Sequence, residues 1–274
     1  MMPDPSAQTA EDSVDLAGLT CSLTLTGTGT STGVPMIACN CAVCTSSDPR
    51  DQRLRTGVYV RNGEQAFLID TGPELREQMV RARVPSVSAV VYTHEHADHI
   101  MGLDDLRIFC FRQKQSLPLY CEERVEQAIR RTFAYAFDET THTLHSKPSL
   151  TFSRISETPF SLCGLTIRPI RLLHGKLPVL GYRIRNVAFC TDVSEIPAES
   201  WPLLEDLDVL ILGAIREEPH PTHFSVSQAL EVVARVSPRQ TYLTHISHSL
   251  PYEATNARLP EGVQLAYDGL TISL

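Results

Sequence analysis

Six consecutive residues, His94-Glu95-His96-Ala97-Asp98-His99, place four strong metal-ligating groups directly behind the strand-like run Ser88–Thr93. On extended backbone alternate side chains share a face, so His94 and His96 point the same way, whereas Asp98 and His99 fall where the next helix begins. Two sets of ligands are then presented side by side, which suits two ions and the activation of water. A second group is Cys39, Cys41 and Cys44, three soft thiolates within six residues. With a fourth ligand these make a structural zinc site. Cys21, Cys110, Cys121, Cys163 and Cys190 are scattered and read as small core residues.

Those groups need elements to position them, and the hydrophobic pattern supplies them. Residues Cys21 to Thr26 alternate as a strand and run into Gly27-Thr28-Gly29-Thr30, whose glycines permit a tight turn. Thr56 to Arg61 and Gln65 to Ile69 read as strands joined at Asn62-Gly63, a strong hairpin signal, and the second ends in Asp70-Thr71-Gly72. A helix is expected over Pro73 to Arg83, and another through Ile100, Leu103, Leu106 and Phe109. Glu122 to Phe133 reads as a further helix and Thr140 to Ser149 as a polar connection that includes the exposed His142 and His145. The second half has strands near Leu165 to Leu172, Leu180 to Arg185 and Val187 to Thr191, the last stopping at Asp192. Leu207 to Leu212 is another strand, Ser225 to Val236 a helix, and Thr241 to Leu243 a strand that stops at His245. This order predicts an α/β fold, an αββα sandwich of two mixed β-sheets flanked by helices. Residues 1–19 are polar, acidic and aperiodic and read as a flexible N-terminal extension; 20–274 form the domain.

The chain has 274 residues, 42% hydrophobic and 20% charged, enough to bury a large core without disulfides. Its net charge of -8 argues against an extended nucleic-acid footprint, which needs clustered Lys and Arg. A small substrate is easier to reconcile with it. No run approaches the ~18 apolar residues of a membrane helix, and the acidic N-terminus is unlike a secretory signal, so the expectation is a cytoplasmic protein. Nothing in the residues fixes an oligomeric state; a homodimer is left open.

The His-x-His-x-Asp-His segment resembles the hallmark of the metallo-β-lactamase superfamily of binuclear hydrolases, and the match extends over nearly all of residues 21 to 269. The resemblance implies that His94, His96 and His174 hold one divalent ion, zinc or manganese. It implies that Asp98, His99 and His245 hold a second, that Asp192 bridges both, and that Asp70 orients a ligand histidine. Within the superfamily, the cysteine loop and Thr244-His245-Ile246-Ser247-His248 are similar to the phosphoribosyl cyclic phosphodiesterases of the carbon–phosphorus lyase pathway. There His248 would complete a structural zinc site with the three cysteines. Gly27 to Pro35 and Gly102 to Arg107 are similar to the same group; the first lacks the Gly-Lys-Ser/Thr ending of a phosphate loop. Arg107 could contact a substrate phosphate or pair with Asp104. His223, ahead of a Ser-capped helix, resembles the proton donor of related phosphodiesterases and tRNA-end-processing ribonucleases; His220 competes for that role.

The resemblance therefore implies a phosphodiesterase that cleaves a small, cyclic or phosphoribosyl-like phosphate ester through a hydroxide bridging two ions. Alternatives are tRNA 3′-end processing, a cofactor-biosynthesis role of the pyrroloquinoline quinone type, and a non-catalytic metal-binding protein.

Overall fold

The computed structural model describes residues 21–138, 140 and 146–274. The extension 1–19, His142 and His145 lie outside the described residues. The first half supplies β1 (Cys21–Gly27), β2 (Gly57–Asn62), β3 (Gln65–Ile69), α1 (Leu75–Arg81), β4 (Ala89–Val91), α2 (Ala97–Ile100), α3 (Arg107–Gln113), β5 (Leu117–Cys121), α4 (Glu123–Thr132), α5 (Ala134–Phe137) and β6 (Leu150–Arg154). The second supplies β7 (Phe160–Leu162), β8 (Leu165–His174), β9 (Leu177–Ile184), β10 (Val187–Cys190), β11 (Val209–Gly213), α6 (Val226–Val236), β12 (Gln240–Thr244), α7 (Tyr252–Asn256), β13 (Val263–Leu265) and β14 (Thr271–Ser273).

Two sheets result, ordered β14-β1-β2-β3-β4-β5-β6 and β13-β12-β11-β10-β9-β8-β7. Each is mixed: β1 to β3 pair antiparallel and β3 to β6 parallel, while β7 to β10 pair antiparallel and β10 to β13 parallel. Alternation in the strands explains the layers. Val58, Val60, Phe67, Ile69 and Val91 face the second sheet and pack with Ile167, Tyr182, Phe189 and Ile211. The intervening Tyr59, Leu68 and Val90 point outward, where Leu75, Phe109, Val125 and Ile129 of the helices cover them. The outer face of the second sheet, with Leu210, Leu212 and Leu243, is covered by Val226, Ala229 and Val232 of α6. Strands buried on both faces follow from helices on both outer surfaces. The αββα sandwich expected from sequence is the observed fold.

Several elements differ from the sequence reading. The helix expected through Ile100 to Phe109 is broken into α2, a 3-10 turn over Leu103–Leu106, and α3. Gly102 makes the break: a Cβ there would lie 2.1 Å from the Gly72 carbonyl oxygen, so the chain must turn against neighbouring backbone. The helix after Pro73 is shorter than expected, and β8 continues past Leu172 to His174. β5, β6, β7, β13 and β14 were not anticipated; three are only three residues long, too short for a period of two to show.

Candidate metal centre

The site is assembled at strand ends. Asp70 follows β3, His94 lies three residues past β4, His174 ends β8, Asp192 lies two residues past β10 and His245 follows β12. β3 and β4 are parallel neighbours in one sheet, and β10 and β12 flank β11 in the other, so their carboxyl ends meet at one edge of the sandwich. His96 caps α2, whose first turn carries Asp98 and His99. Asp70, Asp192 and His245 adopt φ of 65°, 49° and 57°. Left-handed backbone at three non-glycine residues around one centre is the local strain expected where side-chain placement overrides backbone preference.

Two groups of ligand atoms come together, His94, His96, His174 and Asp192 in one and Asp98, His99, His245 and Asp192 in the other, each within 4.8 Å of one another. Asp192 Oδ1 is 3.3 Å from His99 Nε2 and 3.1 Å from His245 Nδ1, while Oδ2 is 3.8 Å from His94 Nε2 and 3.9 Å from His174 Nε2. One carboxylate thus faces both groups.

The hydrogen bonds behind the ligands fix which ring nitrogen looks inward. His99 Nδ1 lies 2.7 Å from Asp70 Oδ2 and donates to it. Thr93 Oγ1 gives its proton to Asp70 Oδ2 at 2.8 Å, so it accepts from His94 Nδ1 at 2.9 Å. His174 Nδ1 donates to the Thr222 carbonyl at 2.6 Å. Each of these histidines therefore turns Nε2, not Nδ1, to the centre. His94 Nε2, His99 Nε2 and Asp98 Oδ2 are buried with no hydrogen-bond partner among the described residues. Buried polar atoms are normally satisfied, so these orphaned groups mark a place that fits cations.

Charge supports the same conclusion. Burial would raise the Asp192 carboxyl, but His245, His99 and His94 outweigh it and hold it well below the carboxylate range. Burial lowers His94, aided by the facing His99, and lowers His96 and His245. His99 is the exception: burial opposes its charge, yet Asp192, Asp98 and Asp70 together hold it well above the usual imidazole value. A cation bound by His99 must displace that proton.

The cysteine loop forms a third group. Cys39, Cys41, Cys44 and His248 have their ligand atoms within 4.8 Å of one another, with His248 Nδ1 3.3 Å from both Cys39 Sγ and Cys41 Sγ. Such spacings suit the tetrahedral cage of zinc bound by sulfur and nitrogen. The Cys44 amide and His248 lower the Cys41 thiol to about 6, which favours the thiolate a metal needs, while burial raises Cys44 to about 11.

His223 stands 4.5 Å, ring to ring, from His174 and 4.8 Å from His245, against which it stacks. Its loop is anchored by Phe224 N to Val193 O at 2.7 Å, and the Ser225 capping box starts α6. His220, 5.0 Å from His223, is held by Thr222. Arg107 pairs with Asp104 at 3.6 Å on the surface. The sequence reading missed the hydroxyls of Thr93, Thr30 and Thr56 and the Thr222 carbonyl. Thr30 and Thr56 flank the His245 ring. It also missed Glu95, inside the histidine segment, whose carboxylate pairs with Arg124 at 3.3 Å.

A family model for the β-lactamase superfamily domain matches residues 65–246. A solved structure described as a new diphosphatase from the PhnP family superposes with a TM-score of 0.86 at 42% identity, over 92% of this chain and 96% of that one. The chain belongs to the PhnP family of the β-lactamase superfamily. As a PhnP-family protein it is a metal-dependent hydrolase. It is also similar to an octanoyltransferase of Porphyromonas gingivalis, 37% identical over 90% of this chain, but it spans only 50% of that relative's length. A ribonuclease Z of a Mycobacterium species is 25% identical over 72% of the chain and 79% of its own length. No helix among the described residues is long and apolar enough to cross a membrane.

Proposed function

We propose that the chain is a binuclear metal-dependent phosphodiesterase acting on a small phosphate ester, with a five-membered cyclic phosphodiester of the phosphoribosyl type as first candidate. The observation that carries the reading is the pair of ligand groups sharing Asp192, with orphaned Nε2 and carboxylate atoms turned inward. His94, His96, His174 and Asp192 would hold one divalent ion, zinc or manganese, and Asp98, His99, His245 and Asp192 the other. When bound, the ions supply Lewis acidity toward a phosphoryl oxygen and a water nucleophile activated at neutral pH.

The protein's own residues do the rest. Asp70 fixes His99 directly and His94 through Thr93, and Thr222 fixes His174, so the inward nitrogens are held before substrate arrives. His223 is the proton donor to the leaving oxygen. Burial, with His245 beside it, pushes its imidazole down to about 3, so the free ring is neutral. A phosphodiester anion against the ring shifts it upward, toward the protonated form that delivers the proton to the alkoxide. Cys39, Cys41, Cys44 and His248 would hold one structural zinc.

The test is leaving-group dependence. His223→Ala should lower turnover of a five-membered cyclic phosphate, whose leaving group is an alkoxide, by roughly 100- to 10,000-fold. The same variant should cleave bis(p-nitrophenyl) phosphate within a few-fold of wild type, because nitrophenolate leaves unprotonated. Equal losses on both substrates would remove His223 from the acid role. The PhnP-family diphosphatase favours a second reading, cleavage of a phosphoanhydride, and hydrolysis of a nucleoside diphosphate but not of the cyclic ester would select it. tRNA 3′-end processing is opposed by the net charge of -8. Octanoyl transfer is not carried over, because the chain spans only half the length of that relative.

A further inference from the structure

Asp268 lies outside both ligand groups, yet each of its carboxylate oxygens is in use. Oδ1 accepts from Thr28 N at 2.9 Å and Thr28 Oγ1 at 2.7 Å, and Oδ2 accepts from Leu54 N at 2.7 Å. The carboxylate thus staples the turn after β1 to the segment that enters β2. Gly29 N donates to Leu54 O at 2.8 Å within the same staple.

These two segments carry the hydroxyls that bracket His245. Thr56 Oγ1 is 2.9 Å from Nδ1 and Thr30 Oγ1 is 3.3 Å from Nε2, all buried. The backbone beside the histidine is tied to the same turn, with Ile246 N donating to Thr28 O at 2.9 Å and Thr30 N to Ile246 O at 3.1 Å. His245 itself sits at φ 57°, a conformation its own backbone does not favour, so its placement depends on these neighbours.

We propose that Asp268 is a positioning residue for His245: it holds Thr28 and Leu54 together so that Thr30 and Thr56 fix the rotation of the imidazole. The inference rests on the reading of His245 as a ligand in the two-ion centre. Asp268→Asn keeps an oxygen for Thr28 but turns an NH2 group toward the Leu54 amide, and so removes one arm of the staple. Asp268→Ala removes both.

The test is calorimetric titration of the metal-depleted full chain with Mn²⁺, which thiolates do not select, so that the cysteine site stays out of the measurement. Near-UV circular dichroism at the same temperature checks that each variant is folded. Wild type should take up two ions. Asp268→Asn should weaken one binding step about 10-fold and Asp268→Ala up to about 100-fold, the other step being unchanged. Thr56→Val should weaken the same step, and adding Asp268→Asn to it should cost less than the two losses multiplied, as expected for residues acting through one path. A folded Asp268→Asn that binds both ions as wild type does overturns the proposal, as does full multiplicativity. Wild type taking up one ion overturns instead the two-ion reading on which it rests. If neither Asp268 variant folds, Thr28→Val, which deletes one donor to Oδ1, should give a smaller loss in the same step; no loss there also overturns it.

Discussion

Asp192 faces His94, His99, His174 and His245 at distances between 3.1 and 3.9 Å, and this one carboxylate neutralises charge for both ligand groups. Replacing it removes the one carboxylate that faces both groups, so Asp192→Ala should lower turnover of a phosphodiester by at least about 100-fold. Asp70 works at one remove. Asp70→Asn keeps one acceptor but loses the charge that orients His99, and a loss of roughly 10- to 100-fold in metal affinity is expected by titration. An affinity equal to wild type would show that Asp70 only closes the turn before Gly72. His94, His96, Asp98 and His99 were legible in the sequence because histidine and aspartate at such spacing have few other uses behind a strand, whereas His174, Asp192 and His245 were expected from the family resemblance. Thr93, Thr30 and Thr56 were not, since threonine is common in strands and nothing in its spacing names its partner, Asp70 for Thr93 and the distant His245 for Thr30 and Thr56.

The elements divide along similar lines. Hairpin β2–β3 was readable from Asn62-Gly63 and from alternation that matches the two-layer packing. The break at Gly102 was invisible, because only the folded chain brings the Gly72 carbonyl against it. Gly102→Ala should therefore displace the backbone between His99 and α3, lowering the melting temperature and metal uptake together. A variant that melts and loads as wild type would contradict that contact. On α4, Glu126 accepts from Arg130 Nε at 2.8 Å and from Arg154 Nε on β6 at 2.7 Å. Burial alone would raise its carboxyl, but the two guanidinium groups hold it below the usual value. A carboxyl depressed in the folded state contributes stability above its unfolded pKa of about 4.5 and loses it as pH falls through the folded value. Both arginines are about half exposed, so the contribution is at most about 1 kcal/mol. Glu126→Gln should accordingly melt below wild type at neutral pH, with the gap closing in acid; a gap that widens on acidification would reverse the assignment.

Across the whole molecule, the three ligand groups tie together segments distant in the chain. The cysteine loop before β2 meets His248, three residues past His245, so one short segment after β12 serves both the cysteine group and the histidine centre. The layered architecture was legible from strand and helix order, whereas the crossing of β14 back to pair with β1 was not, because a three-residue strand carries no address for its partner. We propose that a two-ion centre and a separate cysteine-held zinc coexist in one chain. Elemental analysis of the purified protein tests it most directly, with wild type, Asp192→Ala and Cys41→Ser compared side by side. Wild type should hold one ion for each of the three ligand groups, Asp192→Ala should lose one or both non-cysteine ions, and Cys41→Ser should lose one zinc with the histidine centre still loaded. A single ion per wild-type chain, retained in Asp192→Ala and lost in Cys41→Ser, would contradict it.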